Sequence, residues 1–320
     1  IERDVFQAFN VSGGSRPLIY LVIYGVQRLF GLEASTAVRF LPVLLNPLLV
    51  LAAFFLAFEV FGDGWAAGWA AFFTACGFQV SVGMYSYFLT NLLGLCLVFF
   101  SLGLLFRSLR CGCRASLAAA SLLGGLLVFT HPWTFDQYYT AAVLTAGIIW
   151  FEARVKEGGL GKFWAMSVYL VSLGAAELLK VLVFHGVGGV SASSTAVKGF
   201  AGLSKFWFSS IFSFRLLYGG LMSSLVLIGL AVLGVYVLRC RDVPEVYFTV
   251  FTALTSLVFL IGDETIKSRL LYNVPVGLFA ALGFKMLLGR RLGDDVKRSL
   301  VLFVALNLVV YLFRSMANLV

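Results

Sequence analysis

Charge is what this sequence has least of. Asp, Glu, Lys and Arg make up only 12% of its residues, while 61% are hydrophobic. Soluble globular chains average about 25% charged and about 45–50% apolar residues. One water-solvated core cannot hide so much apolar surface, so the natural solvent is lipid. Histidine is nearly missing, at two residues in 320, and neither stands near Cys111-Gly112-Cys113. That cysteine pair therefore lacks the further ligands a metal needs. The five cysteines form no disulfide framework; Cys111, Cys113 and Cys240 stand in basic loops expected in the reducing cytosol. No Gly-Lys-Ser/Thr follows the glycine-rich stretch Gly186-Val187-Gly188-Gly189, which excludes a nucleotide-phosphate loop there.

Long apolar runs are what the sequence has in abundance, and its mean hydropathy is +0.97. Backbone groups left unpaired in hydrocarbon are costly, so only helices or closed barrels cross a bilayer. The runs are continuous rather than alternating, which selects helices. Runs of about 17–25 residues fall at 36–60, 64–82, 86–106, 115–131, 136–152, 163–185, 215–238, 245–262, 270–288 and 299–315. The expected fold is an all-α polytopic transmembrane bundle of about ten spans. The segment 17–31 has an apolar stripe broken by Arg28 and reads as an amphipathic helix on the membrane interface. Residues 1–35 thus form an outer loop with an interfacial helix, and residues 36–320 the transmembrane domain. Gly64 and Gly68 are spaced for close helix packing, and Pro47 is expected to kink its span.

The net charge of +9 does not signal nucleic acid, because the cations cluster in short loops between apolar runs. Alternate loops contain Arg107, Arg110 and Arg114; Arg154, Lys156 and Lys162; Arg239 and Arg241; and Arg290, Arg291, Lys297 and Arg298. The intervening stretches near 80–86 and 131–136 contain no Lys or Arg. Basic loops stay in the cytosol, so the first set faces inward and the scarce polar groups face outward. Trp65, Trp133, Trp150, Trp164 and Trp207 fall near span ends, as an aromatic belt requires. The chain begins at Ile1 and reads as a piece of a longer or processed protein.

Four outer groups are candidates for chemistry. Glu2 and Asp4 are carboxylates one residue apart. His131 and Asp136 bracket the loop His131-Pro132-Trp133-Thr134-Phe135-Asp136; its plain alternative is an ordinary turn in which Asp136 caps the next helix. Asp263, Glu264, Lys267 and Arg269 lie together, either as a solvated turn with local ion pairs or as a phosphate-seeking group, since a guanidinium fork matches phosphate oxygens. Glu177 and Lys180 are three apart inside a span and share a helix face. They line a cavity or pathway, unless Lys180 simply snorkels to the headgroups. The long outer connection, about 186–214, ends in the aromatic patch Lys205-Phe206-Trp207-Phe208 and suits an interfacial helix or a lid.

Residues 1–106 resemble the GT-C superfamily of membrane glycosyltransferases, of the protein O-mannosyltransferase and lipid A aminoarabinose transferase type. The order of features carries the resemblance. Glu2 and Asp4 precede Ser15-Arg16-Pro17-Leu18-Ile19-Tyr20; then come Gly31-Leu32, Val38-Arg39-Phe40-Leu41-Pro42, the turn Phe61-Gly62-Asp63-Gly64, and Gly83-Met84-Tyr85-Ser86-Tyr87-Phe88. The family often has His or Lys with two prolines where this chain has Arg16-Pro17-Leu18. The resemblance implies transfer of a sugar from a polyprenyl-phosphate donor to a protein, lipid or glycan acceptor at the extracytoplasmic face. It implies Asp4, or Glu2, as the catalytic base, a first span upstream of Ile1, and Lys267 and Arg269 toward the donor phosphate. His131, Asp136, Glu177, Lys180, Asp263 and Glu264 would line the substrate site. Whether a divalent cation takes part is left open. The competing reading is a transporter or flippase of a lipid-linked or small polar substrate, centred on Glu177 and Lys180.

Overall fold

A computed structural model describes residues 16–85, 88–155, 160–184, 210–211, 225–260 and 264–317. Every regular element among them is helical. In chain order these are α1 (Pro17–Phe30), α2 (Ala34–Phe61), α3 (Gly64–Ala75), α4 (Phe78–Tyr85), α5 (Leu89–Cys111), α6 (Arg114–Val128), α7 (Pro132–Val155) and α8 (Leu160–Phe184). After the connection come α9 (Leu225–Val237), α10 (Val243–Ser256), α11 (Glu264–Tyr272), α12 (Val276–Leu288) and α13 (Asp294–Ala317).

Four helices, Ala34–Phe61, Leu89–Cys111, Leu160–Val183 and Asp294–Arg314, are long and apolar enough to cross a bilayer. Ile266–Tyr272 and Val276–Leu288, bent by 47°, add a fifth if they form one span. The outward faces agree with a lipid solvent. On α13, Leu302, Phe303, Leu306, Val310 and Phe313 are exposed while Val304, Leu308 and Tyr311 are buried. A contiguous apolar face of this size is a liability in water and ordinary in a membrane.

Side-chain contacts give the helix directions. Cys96 meets the Leu45 carbonyl at 3.6 Å, and Arg110 pairs with Glu59 at 3.5 Å, so α5 runs parallel to α2. Ser101 donates to the Ala120 carbonyl at 2.8 Å, where α5 and α6 run antiparallel. Asp63 caps α3 by accepting from the Trp65 amide at 2.9 Å, and it also pairs with Lys285 at 2.9 Å near the end of α12. Burial is not what moves the Asp63 carboxyl: Lys285 and the Trp65 amide hold it below the usual carboxylate range. The 62–63 turn, the end of α5 and the end of α12 therefore lie at one end of the bundle. This end carries Arg107, Arg110, Arg290 and Arg291.

Three expectations need correction. The run 64–82 is not one helix, because the chain turns at Cys76 and Gly77, with the Gly77 amide donating to the Thr74 carbonyl. The run 270–288 is likewise broken at Asn273, Val274 and Pro275; Pro275 has no N–H to continue the ladder. Among the described residues, Gly64 and Gly68 make no close helix contact, since a Cβ at either would meet no atom within 4 Å. The close glycine contact lies elsewhere: a Cβ at Gly234 would run into the Phe279 carbonyl, and one at Gly283 into the Leu230 carbonyl, joining α9 to α12. The segment 17–31 is a helix as expected, and it buries Pro17, Ile19 and Val26.

Candidate functional site

At the end of the bundle opposite the Glu59–Arg110 pair, the turn after α6 gathers several elements. The Val128 carbonyl accepts from Lys180 Nζ at 2.8 Å, which ties α8 to this turn. The next carbonyl, Phe129, accepts from the Leu18 amide at 3.1 Å and so anchors the start of α1. His131 follows, fully buried. Its Nδ1 accepts from the Thr134 amide at 3.2 Å and lies 2.8 Å from Thr134 Oγ1. This bond caps α7, because the third amide of a helix has no intrahelical acceptor. Nε2 is buried and has no hydrogen-bond partner among the described residues.

The second component is the break between α11 and α12. A helix interrupted inside an apolar protein frees carbonyls that must find other donors. Gln79 Nε2 donates to the Tyr272 carbonyl at 2.9 Å and to the Val274 carbonyl at 3.0 Å. Tyr138 donates to the Asn273 carbonyl at 2.6 Å. The Asn273 side chain accepts from Thr134 Oγ1 at 3.1 Å and donates to Gln137 Oε1 at 3.1 Å. Gln137 in turn donates to Thr255 at 3.0 Å. The break and the His131 cap therefore belong to one polar network, with Asn273 at its centre.

Cations gather around His131. Its imidazole is held well below the ordinary value of 6.5 by burial, then by Arg16, Arg269 and Lys180. Arg16 sits at the N-terminal boundary of α1. Burial lowers its basicity most, and the charge of Arg269 adds to this. Arg16 thus comes from the chain preceding α1, Lys180 from α8 and Arg269 from α11, and all three lie within electrostatic reach of one neutral histidine. Beside them are two acids. Asp136 lies within electrostatic reach of Glu177 and Lys180, and its Oδ2 is buried without a hydrogen-bond partner among the described residues.

The structure therefore brings together five of the residues singled out from the sequence: His131, Asp136, Glu177, Lys180 and Arg269. Glu2, Asp4 and Asp263 lie outside the described residues, and of Glu264 only its place at the start of α11 is described. Two assignments are corrected. Asp136 does not cap α7; that helix starts at Pro132, and His131 is its cap. Lys180 does not snorkel, being fully buried on the Val128 carbonyl. Lys267 is also fully buried; its Nζ donates to Ser210 Oγ at 3.0 Å and to the Phe259 carbonyl at 3.3 Å. It is two residues from Arg269, and two helical residues turn through about 200°, so the two cations face different neighbours. Arg16 is the site residue that sequence reasoning missed. Its signal was a cation immediately before a helix-starting proline.

An apolar cavity of about 280 Å³ opens beside the break, bounded among others by Val232, Phe251, Thr255, Phe259, Leu271 and Val274. Among the described residues, no group of three or more His, Cys, Asp or Glu side chains could hold a metal ion. No protein-family model matches the sequence, and no curated protein is detectably similar to it.

Proposed function

We infer that this chain is a membrane glycosyltransferase that moves a sugar from a polyprenyl-phosphate donor to an acceptor at the outer face. In this reading the helices make about ten crossings, with α1 lying on the outer surface and the basic loops in the cytosol. One observation carries the proposal: cations from three distant parts of the chain, Arg16, Lys180 and Arg269, all bear on the buried, neutral His131. Like charges gathered in a poorly solvated place repel one another, and an anionic ligand relieves that repulsion. A lipid phosphate leaving during sugar transfer is an anion of this kind, and its developing charge is what fixed donors stabilise. Arg16 and Arg269 would bind the phosphate beside the His131 ring. The cavity beside Leu271 offers space for the isoprenoid chain.

Inverting transfer also needs a carboxylate to take the acceptor's proton. Asp4, with Glu2 two residues before it, is the proposed base, and Asp136 and Glu177 would line the acceptor side. Transport is the weaker reading. Lys180, part of its expected centre, is committed to a backbone carbonyl, and the charged groups of this site lie at one end of the bundle rather than along a path through it.

The test is transfer and binding by the purified chain, reconstituted with radiolabelled polyprenyl-phosphate sugars and a panel of acceptors. Wild type should release polyprenyl phosphate and label an acceptor. Arg269→Gln and Arg16→Gln should each weaken polyprenyl phosphate binding by about ten- to a hundredfold, as the loss of a charge-assisted hydrogen bond does. Binding that is indifferent to both changes, with no transfer by wild type, would overturn the proposal.

A further inference from the structure

The basic end of the bundle holds a second feature that the transferase reading does not use. A groove of about 380 Å³ runs between the end of α12 and the start of α13, lined by Leu288, Lys297, Arg298, Val301, Leu302 and Ala305. The order of these residues matters. Lys297, Val301 and Ala305 are spaced four apart, as are Arg298 and Leu302, so each set forms one stripe along the helix. Going along α13, the stripe passes from cationic to apolar over eight residues, or about 12 Å at the helical rise. A phospholipid has the same polarity along its length, with a phosphate head and then a hydrocarbon chain.

Among the described residues, neither Lys297 nor Arg298 is in an ion pair. Arg110 is paired with Glu59, and Lys285 with Asp63. Arg154 lies over the Trp150 ring at 4.3 Å. Asp294 and Asp295 precede Lys297 and Arg298 by one turn, but no ion pair within 4 Å joins these residues. The apolar part is also open, with Leu302 60% exposed and Phe303 57% exposed beside it. Long cationic side chains at a helix end keep their heads in the headgroup layer while their stems cover apolar surface. Basic pockets between spans on the cytoplasmic side attract anionic headgroups.

The geometry points to one anionic phospholipid seated in this groove, its phosphate on Lys297 and Arg298 and an acyl chain against Val301, Leu302 and Ala305. This occupant bridges α12 and α13, and it is independent of the chemistry at the other end of the molecule.

Native mass spectrometry of the full chain, purified in detergent with equimolar phosphatidylglycerol and phosphatidylcholine, tests the assignment. Wild type should retain phosphatidylglycerol over phosphatidylcholine by roughly tenfold or more, as two headgroup-contacting cations provide. The double variant Lys297→Gln/Arg298→Gln should bring the ratio close to one while its melting curve stays cooperative. Arg290→Gln/Arg291→Gln, which removes the same charge from the neighbouring loop, should keep the preference. If that double variant unfolds, Leu302→Trp, which fills the apolar part alone, serves as the second probe and should displace the lipid. No preference in wild type, a preference that survives in Lys297→Gln/Arg298→Gln or Leu302→Trp, or its equal loss in the loop variant would overturn the assignment.

Discussion

His131 shows how a single residue can be placed by its chain neighbours and then used by the rest of the fold. Its backbone follows the α6 turn, and Pro132 starts α7 directly after it. The imidazole therefore stands where a capping side chain belongs, and the Thr134 amide takes its Nδ1. Its neutrality has a consequence for stability. The unfolded chain takes up a proton on this ring as the pH falls through 6.5, whereas the folded chain resists protonation until well below that value. The unfolded state then binds more protons, so stability declines as the pH drops, by up to about 1.4 kcal/mol per pH unit. Denaturant unfolding in detergent between about pH 7.5 and about pH 5 should show this loss in wild type. A His131→Asn variant should show a shallower one, and equal slopes would contradict the buried neutral state. At this scale the sequence was informative, because charge is so rare in it: His131, Asp136, Glu177, Lys180 and Arg269 stood out. Arg16 did not: next to Pro17 and outside every apolar run, it entered only as a departure from the family pattern. For Lys267, whose Nζ reaches Ser210 and the Phe259 carbonyl, proximity in sequence to Arg269 does not tell which face of the helix the side chain takes.

Among the elements, most helices were legible as apolar runs with turn residues between them. Ala34–Phe61 against the run 36–60 is one case, and Leu160–Phe184 against 163–185 is another. The interruptions were not legible, since the apolar runs continue across both breaks and the donors that stabilise the second one come from far away. Gln79 reaches Tyr272 and Val274 across 193 and 195 residues of sequence. Glycine spacing misled for a related reason. Gly64 and Gly68 fit a packing motif but face open space, while Gly234 and Gly283 carry the close α9–α12 contact. Two substitutions separate these cases. Gly234→Val should clash with the Phe279 carbonyl and destabilise by about 1–3 kcal/mol or more, as overpacking does. Gly68→Ala should be neutral or stabilise by roughly 0.5–1 kcal/mol, because alanine favours a helix. Thermal melts in detergent read both, and comparable losses would show the two sites to be packed alike.

For the whole molecule, the central claim is a division of charge between two ends. One end holds Arg107, Arg110, Arg290 and Arg291 with the Glu59–Arg110 and Asp63–Lys285 pairs; the other gathers Arg16, His131, Lys180 and Arg269. The helical contacts make this division a property of the fold. In the proposed topology the basic end meets the cytosol. The chain carries its own probes of this, since Cys111, Cys113 and Cys240 are exposed in or beside loops of the basic end. Glu33, exposed in the turn between α1 and α2, marks the other end. Labelling of intact cells with a membrane-impermeant maleimide is the most direct measurement. Wild-type thiols should react only after permeabilisation, while Glu33→Cys in a background with the three exposed cysteines changed to serine should react from outside. Ready labelling of Cys111, Cys113 or Cys240 in intact cells, with Glu33→Cys protected, would contradict the account.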